Sequence, residues 1–193
     1  MATNLSNLDK FLKKDFSQPS SLRKKEVCIS GVEEILLQAQ KKGISLLPLD
    51  IRKVISEIFK IEIVEVDLGR DVSGFLERIG SNWKIYINVY ESEVRKRFTL
   101  AHELGHFVCH RDKYTMSGTS EPDQIFFRDE ETLSPIEQEA NNFAANLLMP
   151  EQKFRDEVKN GTRKIIDLAE KFKLSTSAIK YRAYKLGMLS EYK

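Results

Sequence analysis

His102-Glu103-Leu104-Gly105-His106-Phe107-Val108-Cys109-His110 contains all three histidines of this 193-residue chain. Its first five residues have the pattern H-E-x-x-H, and residues four apart share one face of an α-helix. His102 and His106 can therefore direct two ring nitrogens at one metal ion, with Glu103 beside them to act on a bound water. The alternative is a surface helix with two solvated histidines.

The residues around the motif favour a buried helix over 94–110. They are charged at 95–97 and become largely apolar from Phe98 to Val108. A buried histidine pair without partners is costly, and a metal ion removes that cost. Gly105 costs a helix about 1 kcal/mol relative to alanine. We therefore predict that another element approaches the backbone closely at Gly105, where the metal would lie.

A catalytic zinc site needs a third protein ligand and leaves a fourth place for water. His110 lies about 12 Å along the axis from His102, too far to share a metal ion while the helix is straight. Asp112 would take the last position of the longer pattern H-E-x-x-H-x-x-G-x-x-H, but Cys109 replaces its glycine. Cys109 could itself offer a thiolate, although an inert buried thiol is the usual finding in an apolar stretch.

The fourth candidate lies on a second predicted helix. Ser134 can cap that helix, Pro135 suits its first turn and Glu137 completes a capping box. The helix then runs to Met149, and Pro150 marks its end.

Glu139 is the best candidate for the third ligand, because it falls in the apolar stripe of this helix whereas Glu137 falls outside it. The stripe consists of Ile136, Ala140, Phe143 and Leu147. A carboxylate on a core-facing stripe needs a partner that offsets its desolvation, and a zinc ion is such a partner. The alternative partner is a lysine or arginine at the edge of the core.

Three stretches of the chain together resemble the ImmA/IrrE metallopeptidases. They are Arg97-Phe98-Thr99-Leu100-Ala101-His102-Glu103-Leu104-Gly105-His106, then Glu139-Ala140-Asn141-Asn142-Phe143-Ala144-Ala145-Asn146-Leu147-Leu148-Met149-Pro150, and Ile85-Tyr86-Ile87-Asn88. The resemblance implies a compact gluzincin-like fold over most of the chain. It implies that His102, His106 and Glu139 bind zinc and that Glu103 is the catalytic base. Members of this family typically cleave or inactivate a helix-turn-helix repressor.

We predict an α+β fold that is mostly helical. A small three-stranded, mainly antiparallel sheet packs on the metal-binding helices, and a helix-turn-helix-like pair follows. An arm or linker covers residues 1–29, a zincin-like core 30–150, and a C-terminal helical region packed on the core 151–193. The other predicted elements are helices over 31–42 and 50–59 and strands over 61–66, 72–79 and 83–89.

Substrate contacts are predicted at an edge of the sheet, where an extended peptide can add as a further strand. The strand just before the metal helix is the candidate, with Ile85, Tyr86, Ile87 and Asn88 as its residues. The polar stretch 111–133 is either a lid over the site or a surface excursion. Tyr86, Tyr90 and Tyr114 are candidate donors to a developing oxyanion.

The C-terminal pair has two interpretations. Its basic face, with Lys180, Arg182 and Lys185, could contact the phosphates of a nucleic acid. Alternatively the pair packs on the core with Ile179, Ala183 and Leu186 inward. We favour packing, because the turn and the apolar pattern serve it equally well.

Composition narrows the class of protein. Apolar content of 41% and charged content of 31% are typical of a soluble globular protein, and the net charge of +2 does not indicate a nucleic-acid binder. No apolar run is long enough to span a membrane, and two cysteines do not form a disulfide framework. We therefore expect a cytoplasmic protein without a membrane segment.

Taken together, these features predict a zinc endopeptidase whose substrate is a helix-turn-helix repressor. Two imidazoles and a carboxylate also accept other divalent ions such as Mn2+. The alternatives are an anti-repressor that acts without proteolysis and a DNA-binding regulator that uses the C-terminal pair.

Overall fold

The computed structural model describes residues 20–113, 117–119 and 134–191. The helices are α1 (Ser20–Lys41), α2 (Ile51–Lys53), α3 (Glu93–His110), α4 (Pro135–Leu148), α5 (Glu151–Lys159), α6 (Ile165–Phe172) and α7 (Thr176–Lys185). The strands are β1 (Glu62–Val66), β2 (Gly74–Ile79), β3 (Asn82–Asn88) and β4 (Ser117–Thr119). A π-helical turn, Val54–Phe59, continues α2, and a 3-10 turn, Arg111–Lys113, follows α3. Residues 1–19 and most of the stretch 111–133 lie outside the described residues.

The helix starts follow the capping chemistry of the sequence. Ser134 accepts a hydrogen bond from the Glu137 amide at the start of α4, and Asp50 accepts one from the Lys53 amide at the start of α2. Helix α1 is longer than the helix predicted over 31–42, because it begins at Ser20. The charged residues taken for a linker are good helix formers, so the pattern did not mark the boundary.

The sheet is small and mixed, in agreement with the predicted α+β class. Its strand order is β1-β3-β2-β4, with β3 parallel to β1 and antiparallel to β2. The hairpin between β2 and β3 turns at Gly80, whose φ of 62° suits glycine. The predicted three strands are present, and the three-residue β4 adds to the outer side of β2. Strand β3 is consequently internal.

Helix α3 is packed between the sheet and α4. The inward side chains of the hairpin, Leu76, Ile85 and Ile87, are fully buried, as are Leu100 and Leu104 of α3. Burying one such side chain stabilises the fold by about 1.5–3 kcal/mol. Helix α4 packs across α3 through its own buried stripe. The histidine motif therefore lies on a helix that is fixed from two sides.

The C-terminal helices contact the core through arginine side chains. Arg97 Nε of α3 donates to the Lys173 carbonyl at 3.1 Å, and Arg182 Nε donates to the Met149 carbonyl at 3.0 Å. Ile179 and Ala183 are buried. Burial lowers the pKa of Arg182 from its usual value, and this side chain is not part of an exposed basic face. Among the helices of the described part of the chain, none is long and apolar enough to cross a membrane.

Candidate metal centre

Helix α3 brings the rings of His102 and His106 together, as the spacing predicts. Both residues are buried, with exposures of 0% and 3%, and their Nε2 atoms are 2.9 Å apart. The ring planes are nearly perpendicular, at 78°. Two nitrogens of adjacent helical turns therefore point at one place.

The third group at this place is Glu137. Its carboxylate oxygens lie 3.1 Å from His102 Nε2 and 3.3 Å from His106 Nε2. Among the described residues, His102, His106 and Glu137 form a cluster of three potential metal ligands.

The structure does not bring Glu139, the third ligand expected from the sequence, to the two histidines. Its Oε2 atom instead lies 2.7 Å from His110 Nε2. Successive residues of a helix are about 100° apart, so Glu137 and Glu139 leave α4 on opposite sides of its buried stripe. Glu137 is on the side that faces His102 and His106.

The other candidates for a third ligand also lie elsewhere. The side chain of Asp112 is 81% exposed. Cys109 is disulfide-bonded, so it presents no thiolate, and the expectation of an inert free thiol there is wrong. His110 faces Glu139, in agreement with the argument that a straight helix cannot bring it to the metal ligands.

The geometry of the three donors fits a zinc ion. Ligand atoms about 2.0–2.1 Å from a tetrahedral zinc are roughly 3.3 Å from one another. The two Nε2 atoms are 2.9 Å apart, and they lie 3.1 and 3.3 Å from the two different oxygens of the Glu137 carboxylate, all close to that value. Two imidazoles and a carboxylate are also the donor set of a catalytic zinc site with an open position.

The protonation states favour metal binding. Burial lowers the pKa of His106 from 6.5 to about 4, although Glu137 partly opposes this, so the ring is neutral at pH 7. Burial opposes ionisation of Glu137, but its hydrogen bonds with His102 and His106 outweigh that effect and hold its pKa below the usual value. A neutral imidazole and an ionised carboxylate are the forms that bind a metal.

A fourth residue, Asn141, orients the first histidine. Its Oδ1 atom lies 2.9 Å from His102 Nδ1 and accepts a hydrogen bond from that ring nitrogen. With Nδ1 as the donor, the neutral ring would present the lone pair of Nε2 to a metal ion bound at the site. The sequence interpretation did not single out Asn141, and its position four residues after Glu137, on the same face of α4, is the signal that could have found it.

Gly105 provides the close approach that the sequence predicts. A Cβ atom at Gly105 would lie 3.1 Å from the Ala140 carbonyl oxygen and 3.1 Å from Phe143 Cδ1. The backbone of α4 thus passes directly over Gly105, between the two histidine turns of α3. This approach brings Glu137 within reach of both rings.

Comparison with known proteins agrees with this site. Residues 56–184, about two thirds of the chain, match the IrrE N-terminal-like domain, a peptidase family (Peptidase M78). The chain belongs to this family. The IrrE-like match includes the hairpin, α3 and α4, and therefore every residue of the candidate metal centre. The family implies a metallopeptidase.

The fold also resembles a solved structure, a Mycobacterium tuberculosis transcriptional regulator. The TM-score is 0.55 at 14% sequence identity, and the similarity covers 94% of this chain and 51% of that protein. At this identity the likeness shows the fold alone, and the IrrE-like chain spans about half the length of that protein. No curated protein shows significant similarity to the chain.

Glu103, the predicted catalytic base of this IrrE-like protein, directly follows the first histidine. It is fully buried, at 0% exposure, within the helix that carries both rings. Neither it nor its neighbours on α3 can move without displacing packing against the sheet or α4. The glutamate of H-E-x-x-H therefore lies on the same buried helix as the two histidines.

The predicted substrate residues of β3 do not lie at an edge of the sheet. Ile85 and Ile87 are fully buried, and β3 is bonded to β1 on one side and β2 on the other, so it cannot add another strand. Tyr86 stacks on Phe75 at 4.6 Å on the opposite face of the strand from Ile85 and Ile87, which directs it away from the metal helix.

The side chain of Asn88 has a structural role in the loops around β3. Its Nδ2 atom donates to the carbonyls of Gly69 at 2.6 Å and Val72 at 2.8 Å, and its Oδ1 atom accepts from the Tyr90 amide. Asn88 thus joins the two loops that precede the metal helix. Tyr90 is 77% exposed, and Tyr114 lies outside the described residues.

Proposed function

We propose that this protein is a zinc-dependent endopeptidase that cleaves a helix-turn-helix transcriptional repressor and so derepresses its genes. The observation that carries the proposal is the convergence of His102, His106 and Glu137 within 3.3 Å of one another beside Glu103. The protein would work in the cytoplasm, where such a repressor acts.

The roles of the residues follow from their positions. His102, His106 and Glu137 would hold the ion, and a bound zinc supplies Lewis-acid activation of water and of the scissile carbonyl. Glu103 would accept the proton of the attacking water and return it to the leaving nitrogen of the peptide. Asn141 holds the His102 ring in its ligating orientation. Zinc is the favoured ion, and Mn2+ is the alternative to test beside it.

The proposal of a repressor as substrate rests on the family and on charge. ImmA/IrrE peptidases typically act on helix-turn-helix repressors, and the chain shares their fold. Residues 94–150, which carry the metal centre, contain six lysines and arginines against nine aspartates and glutamates. A basic segment of a DNA-binding substrate would be attracted there, in a salt-dependent way.

An extended substrate segment could add to the sheet only at an edge. In the described part of the chain the edge strands are β1 and β4, so the proposed strand addition belongs to one of these edges and not to β3. Backbone hydrogen bonds there would grip a peptide with little regard to its sequence.

The decisive test is proteolysis by the Glu103→Gln variant. Purified protein is incubated with a candidate helix-turn-helix repressor from the same organism, with and without a chelator, and the repressor is followed on a gel. The wild type should shorten the repressor band only without chelator. Glu103→Gln should keep its metal and lose at least about 100-fold in rate, because a general base contributes roughly that much or more.

Glu93→Gln is the matched control for this experiment. Glu93 is on the same helix, undergoes the same chemical change and has a side chain that is 74% exposed. It should cleave at the wild-type rate. Undiminished cleavage by Glu103→Gln, or cleavage that survives complete metal removal, would refute the enzymatic proposal.

Two other functions remain as alternatives. A non-proteolytic anti-repressor would shift the repressor band in a binding assay without shortening it on a gel. A DNA-binding regulator would bind duplex DNA in a salt-sensitive way that survives metal removal. The burial of Arg182, Ile179 and Ala183 against the core is the observation that disfavours the second alternative.

A further inference from the structure

A second histidine–carboxylate contact lies one helical turn beyond the candidate metal ligands, and the proposed reaction does not use it. His110, the last residue of α3, is 2% exposed, and its Nε2 atom is 2.7 Å from Glu139 Oε2. The ring of His110 is 5.5 Å from the ring of His106, centroid to centroid. The pair is thus next to the metal centre and buried with it, but not part of it.

The two carboxylates leave α4 on opposite sides of its buried stripe, and both contact histidines of α3. Glu137 and Glu139 are two residues apart, which places them about 200° apart around the helix. Glu137 meets His102 and His106, and Glu139 meets His110. Helix α4 is therefore held on both sides of its buried stripe.

The residues between these two contacts are apolar, and the smallest of them lie where the helices approach most closely. The buried residues Ala140 and Ala144 of α4 are small, Gly105 opposite them has no side chain, and the larger Phe143 and Leu147 are buried on the same face of α4. An apolar contact of this kind permits close approach, but it specifies the rotation of α4 less sharply than directional bonds do. Directional hydrogen bonds at its two sides supply that specification.

We propose that His110 and Glu139 are positioning residues for the metal centre. Their hydrogen bond fixes the rotation of α4 about its own axis and so places the Glu137 carboxylate against the Nε2 atoms of His102 and His106. A carboxylate about 5–6 Å from a helix axis moves roughly 2 Å when the helix rotates by about 20°. Metal–ligand distances tolerate only about 0.2 Å, so a small rotation would remove Glu137 from the ligand set.

The test measures metal binding, and it rests on the metal centre of the proposed function. The variants are His110→Ala, Glu139→Ala, the double variant and His110→Gln. Zinc affinity is measured by competition with a chromophoric chelator, and the ligand geometry is followed by the visible absorption of Co2+ in the same site. Thermal unfolding of each metal-free variant reports its stability separately.

The inference predicts a specific pattern across these variants. Each alanine variant should weaken zinc affinity by about tenfold and change the Co2+ spectrum, within the 10–100-fold range known for residues behind metal ligands. The loss of zinc affinity in the double variant should be no larger than the greater of the two single losses, because either change breaks the same bond. His110→Gln should recover most of the affinity, since its side-chain amide can still donate to Glu139.

Lys96→Met is the matched control. Lys96 is also buried on α3, at 7% exposure, and its Nζ atom contacts Glu65 Oε2 at 2.8 Å. This change breaks a comparable pair on the same helix without involving α4. It should lower stability and leave zinc affinity and the Co2+ spectrum unchanged.

Three results would overturn the inference. Wild-type affinity and spectrum in both alanine variants would show a packing contact only, whatever happens to their stability. Loss of metal by Glu139→Ala but not by His110→Ala would make Glu139 itself a ligand. A wild-type protein that does not bind zinc would overturn the metal centre as well, whereas zinc binding without repressor cleavage would refute only the proposed substrate or activity.

Discussion

Glu137 and Glu139 are identical side chains two residues apart, and the structure gives them different histidines. Glu137 lies against His102 and His106, whereas Glu139 lies against His110. Only the first of these carboxylates completes a set of three converging donors. The choice of the third ligand therefore lies between Glu137 and Glu139 and can be tested by single substitutions.

Paired substitutions at these residues should separate their roles. Glu137→Gln removes a charged ligand, and we expect zinc affinity to fall by more than about 100-fold, beyond the usual cost of changes behind the ligands. Glu139→Gln keeps a hydrogen-bond partner for His110 and should bind zinc within a few-fold of the wild type. Zinc titration of both variants checks this, and the opposite order would restore Glu139 as the ligand.

Asn141 should matter through the histidine that it orients. Asn141→Ala removes the acceptor 2.9 Å from His102 Nδ1, and we expect a 10–100-fold loss of zinc affinity. Asn141→Asp keeps an acceptor at that place and should retain or tighten binding. Equal zinc affinity in the wild type and Asn141→Ala would show that the ring needs no such support.

The sequence could predict the histidines because their geometry is local. A spacing of four residues on one helix is enough to aim both rings, and the structure keeps that arrangement. Which carboxylate becomes the third ligand depends on how α4 is rotated relative to α3. Relative to the centre of the apolar stripe, Glu137 and Glu139 are displaced by roughly 90° and 70° in opposite directions, so periodicity slightly favoured Glu139, which the structure places against His110. Glu137 had also been assigned to a capping box.

At the scale of elements, the crossing of α3 and α4 at Gly105 brings the ligands together. Gly105→Ala would raise helix propensity by about 1 kcal/mol. Its Cβ atom would, however, lie 3.1 Å from the Ala140 carbonyl oxygen, which belongs to the backbone and cannot turn aside. Overpacking typically costs 1–3 kcal/mol, so we expect a net destabilisation of about 1 kcal/mol and weaker zinc binding.

Chemical denaturation of the metal-free protein measures this prediction. Asn142→Ala is the control, because Asn142 is exposed on α4 and its replacement changes helix propensity without entering the contact. Gly105→Ala that is as stable as the wild type, with unchanged zinc affinity, would show that the two helices separate there without cost.

The elements of the sheet show the same division between local and distant information. The hairpin of β2 and β3 was predictable, because a turn at Gly80 joins two adjacent apolar stretches. The parallel pairing of β1 with β3 joins segments about 20 residues apart, and it makes β3 internal. No local pattern specifies that pairing, so the sequence could not show that β3 is internal and closed to strand addition.

At the scale of the whole molecule, the buried metal centre makes stability depend on pH. The pKa of His106 is about 4 in the folded protein and 6.5 in its ordinary state. Between these values the unfolded chain binds a proton that the folded protein excludes, so stability falls as pH falls from 6.5 towards 4. Each pKa unit corresponds to about 1.4 kcal/mol, which gives a loss of a few kcal/mol for the metal-free protein.

Thermal unfolding of chelated protein at pH 7 and pH 5 checks this expectation. The unfolding temperature should be lower at pH 5, and His106→Gln should flatten the dependence, because its side chain does not titrate. Zinc should raise the unfolding temperature more at pH 7 than at pH 5, since protons compete for the ligands. An unfolding temperature that rises towards pH 5 would contradict the assigned state of His106.

The whole account depends on one ion held by α3 and α4 together. Anomalous diffraction at the zinc absorption edge, from crystals of the protein grown with zinc, locates that ion directly. We predict one strong peak within bonding distance of His102 Nε2, His106 Nε2 and the Glu137 carboxylate, with Glu139 still on His110. A peak bound by Glu139, or no peak between the two histidines, would contradict the account.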